Sequence, residues 1–197
     1  MRFVSLAAKK VTKSICKSGI IANEDYDLYQ YGVEQALIMF INFVSTLLIG
    51  LFLNMILQSI VFMISYIPLR SYAGGFHAST PWRCYGISLF IIAAVLSWLK
   101  FVPFLSIGCI VAIIIGSVLC FVLAPVEDKN KPLDEKEQRV FKKRAYLILI
   151  IEICISAAMY FVWKTVFEVI SLAIFVEGIM LVLGKIKNIR HKISLCA

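Results

Sequence analysis

Cys84 and His77 are the residues in this sequence best suited to chemistry, and they lie seven positions apart. A thiol is a weak nucleophile until it loses its proton, and a nearby imidazole can accept that proton. Both residues fall in the stretch R-S-Y-A-G-G-F-H-A-S-T-P-W-R-C, from Arg70 to Cys84, between long uncharged segments. This stretch therefore predicts a nucleophilic cysteine with a histidine base.

The residues just before Cys84 predict the start of a helix. Thr80 is a good N-cap, and Pro81 suits the first helical position because that position leaves its amide unpaired. Cys84 would then lie in the first turn. There the helix dipole and the neighbouring Arg83 favour a thiolate.

The spacing of the pair requires a break in the chain. On one continuous helix, His77 and Cys84 would lie about 10 Å apart, too far for proton transfer. A break at Pro81 and a flexible hinge at Gly74 and Gly75 would let His77 fold back toward the sulfur.

Two other interpretations of the pair are open. A cysteine near a histidine can be coincidental, since short motifs match by chance. A zinc site would need more ligands than these two residues provide, and His191 and Cys196 lie far away in the C-terminal tail.

The same stretch closely resembles the signature of the accessory gene regulator B (AgrB) family. These are membrane-embedded cysteine endopeptidases that mature autoinducing peptides in Gram-positive bacteria. The family pattern is an Arg, then A-G-G-x-H-A, then a Cys seven residues after the His. This sequence matches it at Arg70, Ala73, Gly74, Gly75, His77, Ala78 and Cys84, and Tyr31-Gly32-Val33-Glu34 resembles the family more weakly.

The resemblance implies roles for individual residues and needs no metal or other cofactor. His77 and Cys84 would be catalytic. The candidates for substrate binding or positioning are Arg70, Gly74, Gly75, Arg83 and Glu34. The residue that would orient His77 is open among Ser79, Glu34 and Asn42.

The resemblance also implies the substrate. This would be a propeptide of the AgrD type, with an N-terminal amphipathic helix, a central signal segment and an acidic C-terminal tail. Cys84 would cleave off the tail, and a Cys or Ser of the peptide would then close a thiolactone or lactone ring from the acyl-enzyme. The resemblance is compatible with a homodimer.

Composition indicates an integral membrane protein. Of the 197 residues, 61% are hydrophobic and 16% charged, whereas soluble domains have about 45–50% apolar and 25% charged residues. The net charge of +8 could suggest nucleic-acid binding. The charges cluster at the ends of apolar segments instead, which is typical of membrane proteins.

We therefore predict an all-α protein with six transmembrane helices in one domain. The uncharged segment from Gln35 to Leu69 exceeds one span of about 20 residues, so we divide it near Asn54 and Gln58. The second span should end at Pro68, so that the next stretch dips into the membrane. The predicted spans are residues 35–53, 57–69, 84–99, 104–122, 145–163 and 166–184, with a charged cytoplasmic loop at 124–144.

Charge asymmetry predicts the orientation. Eighteen of the 20 Lys and Arg residues fall on the side that carries the N-terminus, and only Lys100 and Lys164 fall on the other. The positive-inside rule then places the active site on the cytoplasmic face of a bacterial plasma membrane. Residues 1–19 are basic and amphipathic, which predicts an interfacial helix, with a solvated basic arm as the alternative.

Two acidic residues, Glu152 and Glu177, fall inside the predicted spans. Intramembrane acids normally face a partner or a wet cavity, and Arg70 and Arg83 are available on the same side. The alternative is that both acids are protonated structural residues.

Two other classes of function fit six spans and a basic inner face. One is a transporter that exports or presents a peptide without cutting it. The other is a structural membrane protein in which residues 70–84 form a re-entrant loop. A nucleophilic cysteine at a helix start favours the enzyme.

Overall fold

Seven α-helices make up the regular structure in the computed structural model, which describes residues 2–19, 21–76, 78, 80–102, 106–127 and 133–196. A short 3-10 turn, Asn23–Asp25, precedes the second helix. The helices are α1 (Arg2–Lys17), α2 (Tyr26–Phe52), α3 (Ile56–Ala73), α4 (Pro81–Phe101), α5 (Ser106–Leu123), α6 (Glu135–Val162) and α7 (Lys164–Cys196). The all-α class is thus confirmed for the part of the chain that the structure describes.

The length and composition of the helices fit a membrane. Five of them, α2, α3, α4, α6 and α7, are long and apolar enough to cross one, and α5 is apolar but shorter over its described residues. Large apolar side chains are exposed along these helices, among them Phe40, Leu48, Phe90, Val122 and Phe161. A soluble protein rarely exposes so much contiguous apolar surface, so the chain is a multi-pass membrane protein.

The central helix of the bundle is α7, which packs against α3, α5 and α6. Gly116 of α5 and Gly178 of α7 allow the closest approach, since a Cβ built on Gly116 would lie 2.7 Å from the carbonyl oxygen of Ile174. Small residues at crossings are usual where helices pack in a membrane. The core formed there includes Leu69, Ala73, Cys120, Leu149, Ile174 and Leu181.

The second core cluster attaches α4 to the bundle. Ile92, Val95 and Leu96 of α4 pack with Phe62 of α3 and Val169 of α7. All three α4 residues lie in the C-terminal half of that helix. The N-terminal half is held to α2 by a hydrogen bond of 2.8 Å between the hydroxyls of Ser45 and Tyr85.

Two helices extend beyond the boundaries that the sequence predicts. The second span does not end at Pro68, because α3 continues to Ala73 with Pro68 inside it. Burial of Leu69 and Ala73, both 0% exposed, favours continuation of the helix beyond the proline. Residues 135–144 of the predicted loop are helical, because Asp134 and Glu137 form a capping box at the start of α6.

The predicted division of the first long apolar segment agrees with the structure. The turn between the first two spans lies at Asn54, which has a positive φ of 57°. Helix α1 packs along α2 through a face that buries Ala8 and Thr12, while Val11 is 44% exposed. The basic C-terminal tail continues α7 as far as Cys196.

Candidate functional site

The segment that links α3 to α4 is tied to two other parts of the chain. Gly74 and Gly75 have positive φ angles of 79° and 116°, which glycine adopts without strain. The Val126 amide donates to the carbonyl of Ala73 at 2.8 Å, and the Gly75 amide donates to the carbonyl of Val126 at 3.2 Å. The Phe76 amide donates to Met180 of α7 at 2.8 Å. The predicted hinge is therefore a fixed segment.

Arg70 holds the same segment from the end of α3. Its Nη1 donates to the carbonyl of Gly74 at 2.6 Å, and its Nη2 donates to the carbonyl of Phe76. The same Nη1 lies 3.8 Å from Oε1 of Glu177, whose side chain is fully buried. The predicted ion pair between Arg70 and an intramembrane acid is thus confirmed for Glu177.

Close packing leaves no room for side chains around the linking segment. A Cβ on Gly74 would lie 2.1 Å from the Val126 carbonyl oxygen, and one on Gly75 would meet the Arg70 guanidinium at 2.1 Å. Gly184 of α7 faces the segment from the opposite side, where a Cβ would lie 2.6 Å from the carbonyl carbon of Gly75. Glycine is therefore required at all three positions.

Helix α4 begins as predicted. The Thr80 side chain accepts a hydrogen bond from the Arg83 amide at 3.4 Å, and Pro81 is at the first helical position. The Cys84 amide donates to the carbonyl of Thr80 at 3.1 Å. Cys84 is half-buried and lies in the first turn, near the positive end of the helix dipole.

Cys84 lines a cavity of about 440 Å³ between α2, α3 and α4. Ligand pockets typically measure about 300–1,000 Å³, so this one can hold several side chains. Its walls are largely apolar. Lining residues include Met39, Phe43, Phe62, Met63, Ile87 and Ile91, together with the polar Asn42, Thr46, Tyr66, Arg70 and Ser88.

The predicted base, His77, and Ser79 lie outside the described residues. Phe76 and Ala78, which flank His77 in the chain, both line the cavity with Cys84.

Of the other predicted residues, Asn42 is a described lining residue of the cavity, whereas Arg83 and Glu34 are not. Arg83 is exposed and lines a second, open pocket with Lys187 of α7. Glu34 lies in α2 but is not among the described residues that line the cavity. Asn42 does line it, and its Oδ1 is buried without a hydrogen-bond partner among the described residues.

The second intramembrane acid, Glu152 of α6, is 7% exposed. It lies near Ser65 and within electrostatic range of Glu177. Its Oε2 has no hydrogen-bond partner in the described part of the chain. The expected alternative of a structural acid therefore stays open for Glu152.

Several residues of the site carry no signal in the sequence. Val126, Met180 and Gly184 hold the linking segment, yet they come from α7 and from the stretch after α5, far along the chain. In the sequence, nothing distinguishes Thr46 and Phe62 from other residues of apolar helices. Only their arrangement in space connects them with Cys84.

Comparison with known proteins gives the family. The profile of accessory gene regulator B matches residues 8–181. The chain belongs to the accessory gene regulator B family. The matched region contains the linking segment, Cys84 and the N-terminal half of α7, whereas Gly184 and Lys187 lie beyond it.

Individual AgrB relatives agree with this assignment. An AgrB-like protein of Clostridium perfringens (strain SM101 / Type A) is 28% identical over 76% of this chain and 73% of its own length. An AgrB-like protein of Listeria monocytogenes (strain EGD-e) is 33% identical over 64% of this chain and 61% of its own length. Accessory gene regulator protein B of Staphylococcus aureus (strain MRSA252) is 27% identical over 66% of this chain and 67% of its own length.

The match spans less than two thirds of the Listeria relative's own length. No solved structure matches the chain.

Proposed function

We propose that this AgrB protein is a membrane-embedded cysteine endopeptidase that removes the C-terminal tail of a quorum-sensing propeptide. The observation that carries the proposal is the position of Cys84. It lies in the first turn of a capped helix and lines a peptide-sized cavity. Nucleophilic cysteines occupy such partly accessible helix starts.

The proposed chemistry uses His77 as base and Cys84 as nucleophile. His77 takes the thiol proton, the sulfur attacks the carbonyl at the end of the signal segment, and the tail leaves as an amine that His77 protonates. The acyl group then remains on Cys84 as a thioester. A Cys or Ser side chain of the same peptide attacks it and closes a thiolactone or lactone, which releases Cys84.

Arg70, Gly74 and Gly75 act as positioning residues in this proposal. They fix residues 74–76 through the hydrogen bonds and close contacts described above, and His77 follows directly in the chain. Arg83 is proposed to contact substrate from the open pocket that it lines. For Glu34 the proposal rests only on the family resemblance.

The proposed setting is a bacterial plasma membrane, with six spans, an interfacial α1 and the site on the cytoplasmic face. This rests on the distribution of 18 against two basic residues and on the positive-inside rule. The proposed partner is an AgrD-type propeptide, met before export, and a homodimer is compatible with the proposal. The basic inner face would attract an acidic tail.

The test compares Cys84→Ser with Cys154→Ser, a substitution of an exposed thiol in α6. Both proteins are purified from membranes and incubated with a propeptide whose ring-forming residue is Ala. We expect the wild type and Cys154→Ser to release the tail and to carry an acyl adduct on Cys84, seen by mass spectrometry. Tail release by Cys84→Ser at the wild-type rate would refute the proposal.

A further inference from the structure

The apolar cavity adjoins the open pocket that Arg83 and Lys187 line. Both are lined by Phe76, Ala78 and Ile87. The cavity continues between α2, α3 and α4, whereas the pocket opens toward Arg83 and Lys187. Cys84 lines only the cavity among the described residues. A peptide that crosses Cys84 would therefore have one part in apolar surroundings and the other beside two cations.

We propose that the cavity binds the acyl side of the substrate and selects a bulky apolar side chain at the residue just before the cleaved bond. This inference rests on the proposed function and adds a specificity site to it. The acyl part stays bonded to Cys84 after cleavage, so it must occupy the space that Cys84 lines. An acidic tail suits the pocket with Arg83 and Lys187 by charge and would leave from that side.

The lining of the cavity determines which side chain it accepts. Phe62 and Met63 of α3 and Ile91 of α4 give it apolar walls. An acidic side chain placed there would lose its hydration, and Arg70, the lining cation among the described residues, already pairs with Glu177 and two backbone carbonyls. An aromatic or long aliphatic side chain would instead bury its apolar surface. Thr46, which is 9% exposed, lines the cavity from α2.

Asn42 supplies a polar contact that the folded chain leaves unused. Its Oδ1 is buried and has no hydrogen-bond partner among the described residues, although Asn42 lines the cavity. Buried acceptors are rarely left unpaired. A backbone N–H of the bound peptide would satisfy this oxygen, and Asn42 would then fix the peptide on the acyl side of the cleaved bond.

The test uses peptidyl chloromethyl ketones that end in Phe, Ala or Glu. Such a probe has an acyl side and no tail. The Cys84 sulfur displaces chloride to form a thioether with the methylene carbon, and the thiol proton is lost. We measure the rate of Cys84 alkylation by mass spectrometry in the purified membrane protein. With the wild type we expect the Phe probe to react about tenfold or more faster than the Ala probe, and the Glu probe slowest.

A variant that fills part of the cavity tests whether the cavity determines the selectivity. Thr46→Phe should lower the Phe-to-Ala rate ratio about tenfold. The matched control is Val44→Phe on the same helix, where Val44 is 37% exposed and is not a described lining residue of the cavity; it should leave the ratio unchanged. Ile91→Ala enlarges the same space and should favour a probe larger than Phe, which keeps the test informative if Thr46→Phe fails to fold.

Asn42 is tested with a Phe probe methylated at the backbone nitrogen of its last residue. Methylation should slow the wild type about fivefold or more, since it removes one hydrogen bond to a buried oxygen. In Asn42→Ala the same methylation should have no effect. Equal slowing of both proteins would remove Asn42 from the proposal.

The outcomes separate this inference from the proposed function. If no ketone alkylates Cys84 faster than iodoacetamide does, Cys84 does not lie in a peptide site, and the proposed function fails with the inference. If the ketones react rapidly but Phe has no advantage over Ala, or if Thr46→Phe leaves their ratio unchanged, the peptidase stands and the inference is overturned.

Discussion

Arg70 connects two chain segments that are far apart in sequence. Its guanidinium donates to two carbonyls of the segment before His77 and pairs with Glu177 of α7. A planar guanidinium can serve several acceptors in fixed directions, whereas a lysine ammonium is a compact charge on a flexible stem. The charge alone therefore does not explain the contacts of Arg70.

Arg70→Lys should lower the rate of propeptide cleavage on the order of 100-fold, because small displacements of catalytic groups have effects of this size. The amount of protein in the membrane should change little. Arg139→Lys is the matched control, since Arg139 is exposed and pairs only with Glu135 at 3.7 Å within the described contacts. Full activity of Arg70→Lys would reduce Arg70 to a generic positive charge.

Cys84 should also differ from the other thiols in reactivity. Cys109 and Cys120 are 0% and 2% exposed, and Cys154 lies on the exposed surface of α6 within a candidate span. We expect a polar maleimide to label Cys84 faster than these three, measured by peptide mapping after timed labelling. His77→Ala should slow the labelling of Cys84. Equal rates for all four thiols would contradict the activation of Cys84.

At the scale of helices, α7 fixes the site through small residues and one acid. Gly184 contacts the linking segment, Met180 accepts its amide, and Glu177 pairs with Arg70. These three residues occur at successive turns of one helix, so they face the same side. The geometry of the site therefore depends on the packing of α7 against the end of α3.

Gly184→Ala tests this dependence. The added methyl would lie 2.6 Å from the carbonyl carbon of Gly75 and 2.8 Å from the amide nitrogen of Phe76, so the linking segment must shift. We expect a cleavage rate lowered by one to two orders of magnitude, following the sensitivity of catalysis to position. Gly32→Ala is the control, because nothing lies within 4 Å of its added methyl. Wild-type turnover by Gly184→Ala would show that the segment can move without loss.

Glu177→Gln tests the ion pair as a stabilising contact. Removal of one partner leaves a largely buried guanidinium uncompensated, which costs up to about 3–5 kcal/mol. The melting temperature of the detergent-purified protein should fall. Glu168→Gln, at the partly exposed opposite end of α7, should leave it nearly unchanged. A melting temperature for Glu177→Gln equal to that of Glu168→Gln would mean that the pair contributes nothing.

Local features of the sequence predicted local features of the fold. Thr80 and Pro81 determine where α4 begins, and Gly74 and Gly75 determine where the backbone adopts positive φ, because each depends on the residue itself. Pro68 misled the prediction because the buried neighbours that accompany the longer helix are visible only in the fold. The cavity residues Asn42 and Thr46 follow from the packing of three helices, which no spacing encodes.

At the scale of the whole molecule, the orientation in the membrane determines where substrate is met. The ends of α3 and α5 meet the middle of α7 around residues 73–76, 126 and 180–184, next to the start of α4. The site therefore lies at one end of the bundle. The charge distribution predicts that this end faces the cytoplasm.

Vesicles with oriented enzyme test on which side of the membrane the site lies. With the enzyme inserted in one direction, a propeptide should be processed only when it is added on the face that carries residues 133–144. Released tail is measured by mass spectrometry, and vesicles opened by detergent report the total enzyme. Processing from the opposite face would overturn the proposed orientation.

The linking segment and the cavity are built from partly different helices. Contacts that shape the linking segment come from α3, α7 and the stretch after α5, whereas much of the cavity wall comes from α2, α3 and the N-terminal half of α4. That half of α4 lies outside the described core clusters. Substitutions there can reshape the cavity while the scaffold keeps its packing. Under the proposed function, such substitutions would change which signal peptide is processed, and related strains would then produce different signals with the same catalytic scaffold.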